Sequence, residues 1–269
     1  MDGRWRMLWL AMWVQASATF VTYGVGPLAA LWKKEMQLSA FQVGLLVSVI
    51  QIGPLLSMLA VGWMLDRYGE RWLISGGSLL LGLFMWTCIL ASDYEMLLFF
   101  LLLTGVWYGT AQPGGSKVIL QWFPERERGL AMGVRQAGIP IGGALAGMIL
   151  PWAAEWRGVD MAVFLAGALA VSAGILFGWL YRSPVQETEA QTTARVQKDP
   201  KFQLPARLHP VLLAGIVLVS LQMVIVSHGM MFAAEELQIP RLTAGRLFSI
   251  ALLSGMIGRM VLAWWSDRM

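Results

Sequence analysis

Gly62-Trp63-Met64-Leu65-Asp66-Arg67-Tyr68-Gly69-Glu70-Arg71 is the stretch on which the reading of this chain turns. An uncharged run that begins at Met36 stops at Asp66, charges crowd the next few positions, and a second uncharged run starts at Trp72. Crossing a hydrocarbon core of roughly 30 Å takes about 20 apolar residues, and both runs have that length. Two such runs joined by a tight charged turn describe a helical hairpin through a lipid bilayer. Further uncharged runs cover Met7–Leu31, Met96–Ser116, Met161–Tyr181 and Leu208–Ala234. Gly129–Ala154 and Leu247–Ser266 each carry one internal cation, Arg135 and Arg259. The pattern predicts about eight transmembrane helices. Charged residues make up only 13% of the chain and hydrophobic ones 57%, against the roughly 25% charged of a soluble domain. The expected fold class is an all-α polytopic membrane protein.

The net charge of +4 does not point to nucleic acid, because the cations sort by loop. Alternate loops hold Arg4, Arg6, Arg67, Arg71, Arg126, Arg128, Arg182, Arg195, Lys198, Lys201, Arg207 and Arg268. The opposite loops hold Lys33, Lys34, Arg157, Arg241 and Arg246. Cytoplasmic loops are enriched in Lys and Arg, so the N-terminus is expected in the cytoplasm, with the chain multi-pass in a bacterial-type inner membrane. Tryptophans such as Trp63, Trp72, Trp152 and Trp179 lie near the ends of the runs, where amphipathic rings anchor helices at the interface. The lone cysteine, Cys88, can form no internal disulfide.

Loops between the first six runs are short. Residues 182–207 differ: they are polar and hold Pro184, Pro200 and Pro205, a composition that cannot bury a core. The expected organisation is a six-helix transmembrane half over 1–181, a cytoplasmic linker over 182–207, and an incomplete second half of two helices over 208–269. An ungapped shift of 201 residues lays Glu35–Arg67 over Glu236–Arg268. It matches Glu35/Glu236, Gln37/Gln238, Gly44/Gly245, Ser48/Ser249, Trp63/Trp264, Asp66/Asp267 and Arg67/Arg268. The Asp-Arg pair ends an apolar run in both copies, as a duplicated architecture requires.

With these residues in view the chain resembles the major facilitator superfamily, whose signature between spans 2 and 3 runs Gly-x-x-x-Asp-Arg-x-Gly-Arg-(basic). Gly62, Asp66, Arg67, Gly69 and Arg71 match it, and Glu70 replaces a residue that is usually basic. The resemblance implies a major facilitator-type helix bundle working by alternating access. It also implies a latch in which Asp66 and Arg67, with Asp267 and Arg268 as the second copy, close the cytoplasmic gate. Gly62 is expected to admit a close helix, Gly69 to turn the chain, and Asp66 to accept hydrogen bonds from a facing helix N-terminus.

Cations inside spans are costly, and they usually face a cavity. Arg259 lies eight residues before Asp267, about 12 Å from the helix end at 1.5 Å per residue. Its setting resembles the eighth helix of oxalate/formate and monocarboxylate carriers, whose arginine pairs with a substrate carboxylate. Lys117 and Arg135 flank the loop at Glu125–Arg128 and are expected to face one another across a cavity mouth, or else to snorkel to phosphates or pair with Glu125 or Glu127. Gln15 and Tyr23, with Thr19 and Thr22, share a face of span 1 and form a candidate polar lining. No acid is placed deep within a span, while His228 lies within span 7. The run Gly138-Ile139-Pro140-Ile141-Gly142-Gly143 resembles the fifth-helix motif of antiporters without its adjacent Gly and Pro, and close helix packing accounts for its glycines.

The function expected is secondary transport of small organic anions, carboxylates, held by Lys117, Arg135 and Arg259, with a co-transported proton implied by resemblance. No metal cluster, nucleophile–base pair or phosphate loop suggests an enzyme, and no cofactor is called for. The alternatives are a drug or metabolite efflux carrier and a truncated transporter fragment without activity. Self-association is expected if the short chain transports.

Overall fold

The computed structural model describes residues 3–184 and 208–221, and short stretches at 237–238, 250, 254–255, 257–258, 261–265 and 267–268. Arg259 and His228 lie outside the described residues. The chain divides into two compact units, Met1–Pro184 with Gly258–Met269, and Val185–Ile257.

The first unit is built from α1 (Gly3–Glu35), α2 (Ala40–Thr87), α3 (Tyr94–Tyr108), α4 (Ala111–Trp122), α5 (Glu125–Gln136), α6 (Gly138–Arg157) and α7 (Val159–Leu180). In the second unit the described helix is α8 (His209–Leu221). No strand occurs among the described residues. That outcome follows from the solvent: in hydrocarbon every backbone N–H and C=O must be satisfied within its own segment or within a closed barrel.

Four described helical stretches are long and apolar enough to cross a membrane: Ala40–Leu90, Tyr94–Trp122, Glu125–Arg157 and Val159–Leu180. The first of them covers two expected spans. It bends at Gly69, which has φ 78° and ψ 165°, a region open in practice only to glycine. The second stretch joins α3 and α4, and the third joins α5 and α6, so the expected hairpins keep their order. The 33 residues of α1 give it about 50 Å of length at 1.5 Å per residue.

Helix starts obey local chemistry. Ser39 and Gln42 form a reciprocal capping box at the head of α2, with Gln42 N donating to Ser39 Oγ and Ser39 N donating to Gln42 Oε1. Asp93 caps α3 by accepting from Met96 N at 2.8 Å. Among the described residues, the non-glycine positions with positive φ are Gln37 (54°) and Gln238 (51°). These are the two glutamines that the 201-residue shift superposes, so the two copies share a backbone turn as well as letters.

The core of the first unit joins Val21, Val25 and Leu28 of α1 to Leu46 and Ile50 of α2, Leu97 and Leu101 of α3, Leu150 of α6 and Ala162 of α7. Outward, Leu55, Leu56 and Leu59 of α2 are exposed, an apolar surface suited to lipid or another helix and ill-suited to water. Trp63, Trp72, Trp152 and Trp179 also face outward, as interfacial anchors must.

The bend at Gly69 makes a specific prediction. Gly69→Ala is expected to lower stability by about 1–3 kcal/mol. Gly76→Ala, on the same helix and with open space beside its Cα, is expected to be neutral or to stabilise by up to about 1 kcal/mol. Thermal unfolding of the two purified variants beside the parent checks the pair.

Candidate substrate site and gate

Arg135 sits near the C-terminal end of α5 and is 1% exposed. Its Nη1 donates to Gln15 Oε1 of α1 at 3.0 Å, and its Nη2 donates to Gln112 Oε1 at 3.2 Å and Ser116 Oγ at 3.3 Å, both on α4. Its Nε is buried without a partner among the described residues. Gly115 makes the approach feasible, since a Cβ there would fall 2.7 Å from Nη1. Among the described residues no carboxylate pairs with this guanidinium. A buried cation normally requires both pairing and hydrogen bonds, and this one has only neutral acceptors.

The α1 face read as a polar lining is only partly free. Thr19 Oγ1 donates back to Gln15 O at 2.7 Å, and Thr22 Oγ1 donates to Ala18 O, the local bonding usual for helical threonines. Gln15 turns its Nε2 to Thr19 Oγ1 and its Oε1 to Arg135. Tyr23 is 43% exposed and packs beside Gly143, making no hydrogen bond to Arg135. The Tyr108 phenol of α3 lies among Gln15, Thr19, Thr22 and Tyr23, extending the polar patch by a residue the sequence did not single out. Gln112 and Ser116 were also missed, although their i,i+4 spacing puts them on one face of α4.

Lys117 does not face Arg135. Its Nζ donates to Leu65 O at 3.0 Å and lies 3.4 Å from Asp66 Oδ1. Neighbouring Ser116 and Lys117 therefore serve different places: the first holds Arg135, and the second braces the charged turn. At the end of the first leg of α2 the ammonium meets terminal carbonyls, where a cation is favoured.

Asp66 is otherwise exposed, with no contact to a facing helix N-terminus among the described residues. Its counterpart makes that contact. Asp267 Oδ1 accepts from Gly129 N at 2.8 Å, and Asp267 Oδ2 accepts from Leu130 N at 2.7 Å, in the second turn of α5. Gly129 permits it, because a Cβ would lie 2.5 Å from Oδ1 and 2.6 Å from Ala263 O. Arg67 and Arg268 also behave alike, with guanidinium carbons 5.2 Å from the Trp63 ring and 3.8 Å from the Trp264 ring. These are cation–π pairs at equivalent positions. Arg71 donates from Nε and Nη2 to Gly178 O at 2.9 and 2.6 Å, clamping the second leg of α2 to α7. Open space surrounds Gly62, so the close helix expected there is not met among the described residues. Glu70, which stands where the signature is usually basic, is buried.

A bundle of membrane-length helices, a repeated Asp-Arg latch and a buried cation frame the comparison with known proteins. The sequence profile of the Major Facilitator Superfamily matches residues 9–269. The chain belongs to that superfamily. An uncharacterized MFS-type transporter of Mycobacterium tuberculosis is 26% identical over 265 residues, covering 98% of this chain and 59% of the relative. A hexuronate transporter of Bacillus subtilis is 26% identical over 174 residues, covering 64% of this chain and 41% of the relative. A galacturonate transporter of Dickeya chrysanthemi is 32% identical over 83 residues, covering 31% and 24%. A solved bacterial homolog of the human lysosomal transporter Spinster, inward-facing and unoccupied, superposes with a TM-score of 0.60 at 20% identity. That superposition covers 76% of this chain and 47% of the other, and it shows the fold. The chain thus spans little more than half the length of the mycobacterial relative. Superfamily membership makes it a multi-pass membrane protein of a transporter family rather than an enzyme family.

The latch at Asp267 yields a test. Charge-assisted hydrogen bonds contribute about 1.5–3 kcal/mol each, so Asp267→Ala is expected to speed amide exchange in the segment holding Gly129 and Leu130. Hydrogen-exchange mass spectrometry of the parent and variant reads that difference, with a segment of α3 as the unchanged control.

Proposed function

We propose that this chain carries small organic anions, carboxylates, across the membrane by alternating access, and that Arg135 supplies the charge that holds them. The observation that carries the reading is a guanidinium sealed among Gln15, Gln112 and Ser116 with no carboxylate paired to it among the described residues. Arginine remains charged at any working pH and presents a planar fork that matches a carboxylate. An arriving carboxylate supplies the missing counter-charge and exchanges with the amide oxygens now on Nη1 and Nη2. The amides and hydroxyls released, with Tyr108, Thr19, Thr22 and Tyr23 nearby, suit a substrate that also bears hydroxyl groups. Relatives named for hexuronate and galacturonate make uronates the first compounds to try.

Arg259 belongs to the same proposal by its resemblance to the arginine of carboxylate carriers. Lys117 moves to the gate, where it braces Asp66. In this reading the Asp66–Arg71 turn and the Asp267-Arg268 turn lie on the cytoplasmic side, as the sorting of Lys and Arg argues. The Asp267 contact with α5 forms when that side is closed. Proton coupling and self-association complete the proposal.

Uptake of labelled galacturonate, glucuronate and simple monocarboxylates into proteoliposomes tests it, with Arg135→Gln beside the parent. The expected result is saturable uptake by the parent and a loss of roughly 10- to 150-fold in the variant, the equivalent of one charged hydrogen-bonding contact. Folded parent protein that takes up none of these anions, or uptake untouched by Arg135→Gln, overturns the reading.

A further inference from the structure

Arg135 closes one end of a polar strip between α1 and the joined helices α3 and α4. On α4, Gln112 and Ser116 hold its guanidinium. One turn back on the same face stands Tyr108, the last residue of α3. The backbone between keeps its helical course, with Gly109 at φ −54°, ψ −20° and Thr110 at φ −77°, ψ −27°. Positions 108, 112 and 116 therefore line up at i, i+4 spacing across the junction. On α1 the strip runs the other way. Gln15 meets Arg135, and Thr19, Thr22 and Tyr23 lie by the Tyr108 phenol.

The two ends differ in chemistry. One is a permanent cation that only donates. At the other, Thr19 and Thr22 direct their hydroxyl hydrogens to Gln15 O and Ala18 O of their own helix, so each presents an oxygen as acceptor. Tyr108 adds a hydroxyl that both donates and accepts. The Tyr23 ring lies over Gly143, where a Cβ would fall 2.7 Å from Cδ2, and it remains 43% exposed. A hydroxylated carbon skeleton matches this end, with O–H groups against the oxygens and C–H groups against the ring.

Spacing sets the length. From Gln15, Thr19 and Thr22 stand about 6 and 10 Å along α1 at 1.5 Å per residue. Tyr108 stands about 6 Å from Gln112 by the same rise. A chain of about six carbons, with bonds of about 1.5 Å, extends roughly 6 Å. An acid of two or three carbons stops short.

We propose that Tyr108 and Tyr23 are specificity-determining residues that read the far end of the substrate, so that the site selects a hydroxylated acid of about six carbons, a sugar acid, over a short carboxylate. The inference rests on the reading of Arg135 as the carboxylate's partner and adds a direction to it. The carboxylate lies at α5, and the hydroxyls point to the junction of α3 with α4. Arginine alone does not make this choice, since every carboxylate offers it the same two oxygens. A site built to bond a substrate hydroxyl does, because its own polar groups are left unpaired when that hydroxyl is missing.

Uptake of labelled galacturonate and of labelled lactate into proteoliposomes of the full chain tests it, in the parent, Tyr108→Phe and Arg135→Gln. The parent is expected to prefer galacturonate. Tyr108→Phe, which removes a single oxygen, is expected to raise the KM for galacturonate roughly 3- to 10-fold, with kcat and the KM for lactate unchanged. Arg135→Gln is expected to weaken both anions. Gly143→Ala displaces the Tyr23 ring and leaves the Tyr108 phenol intact, so it should give the same split even if Tyr108→Phe fails to fold. A parent that prefers lactate, or a galacturonate KM unmoved in the folded variants at 108 and 143, overturns the inference, while loss of uptake in Arg135→Gln still upholds the anion site. A folded parent that takes up neither acid overturns both.

Discussion

Burying a guanidinium costs several kcal/mol unless strong acceptors offset it, and the first unit offers Arg135 two amide oxygens and one hydroxyl. That arrangement fixes much else. Gln15 must turn inward from α1, Gln112 and Ser116 must share a face of α4, and residue 115 must lack a side chain for Nη1 to fit. Three helices are thereby pinned around one cation that has no counter-ion among the described residues. A core built only for stability would use apolar residues of similar volume there. The proposed function takes this charge as kept for a substrate anion.

The second organising feature is the duplication. Gln37 and Gln238 repeat a left-handed backbone turn, and Trp63/Arg67 and Trp264/Arg268 repeat a cation–π pair. The two aspartates then diverge. Asp267 grips the amides of Gly129 and Leu130, whereas Asp66 is held by the Lys117 ammonium. An exposed ion pair of that kind is weak, about 0–1 kcal/mol, which leaves Asp66 available to a stronger partner. The two Asp-Arg pairs thus stand in different surroundings, one aspartate on backbone amides and the other on an ammonium.

Much of this was legible in the sequence, and what was not has physical causes. Apolar run length and charged breaks gave the helices, because the bilayer permits few alternatives. The 201-residue shift paired Gln37 with Gln238, and the turn they share came only from the backbone. Directions of side chains were harder. Ser116 and Lys117 are adjacent, and only packing shows that one points to Arg135 and the other to the turn. The burial of Glu70 was not legible because its partners, Gln121 and Tyr181, are distant in sequence and uncharged. Gly62 matched the signature, yet the helix expected beside it is not among the described residues. Arg259 likewise falls outside them, so its part in the site rests on sequence alone.

The central claim is that Arg135 is a cation awaiting an anion, and ligand-induced stabilisation tests it without requiring transport. A ligand that binds the folded state raises the unfolding midpoint in proportion to its occupancy. At constant ionic strength, galacturonate should raise the midpoint of the parent chain, while neutral galactose should not. The shift should vanish in Arg135→Gln. An equal shift from the neutral sugar, or one that survives in the variant, would contradict the account.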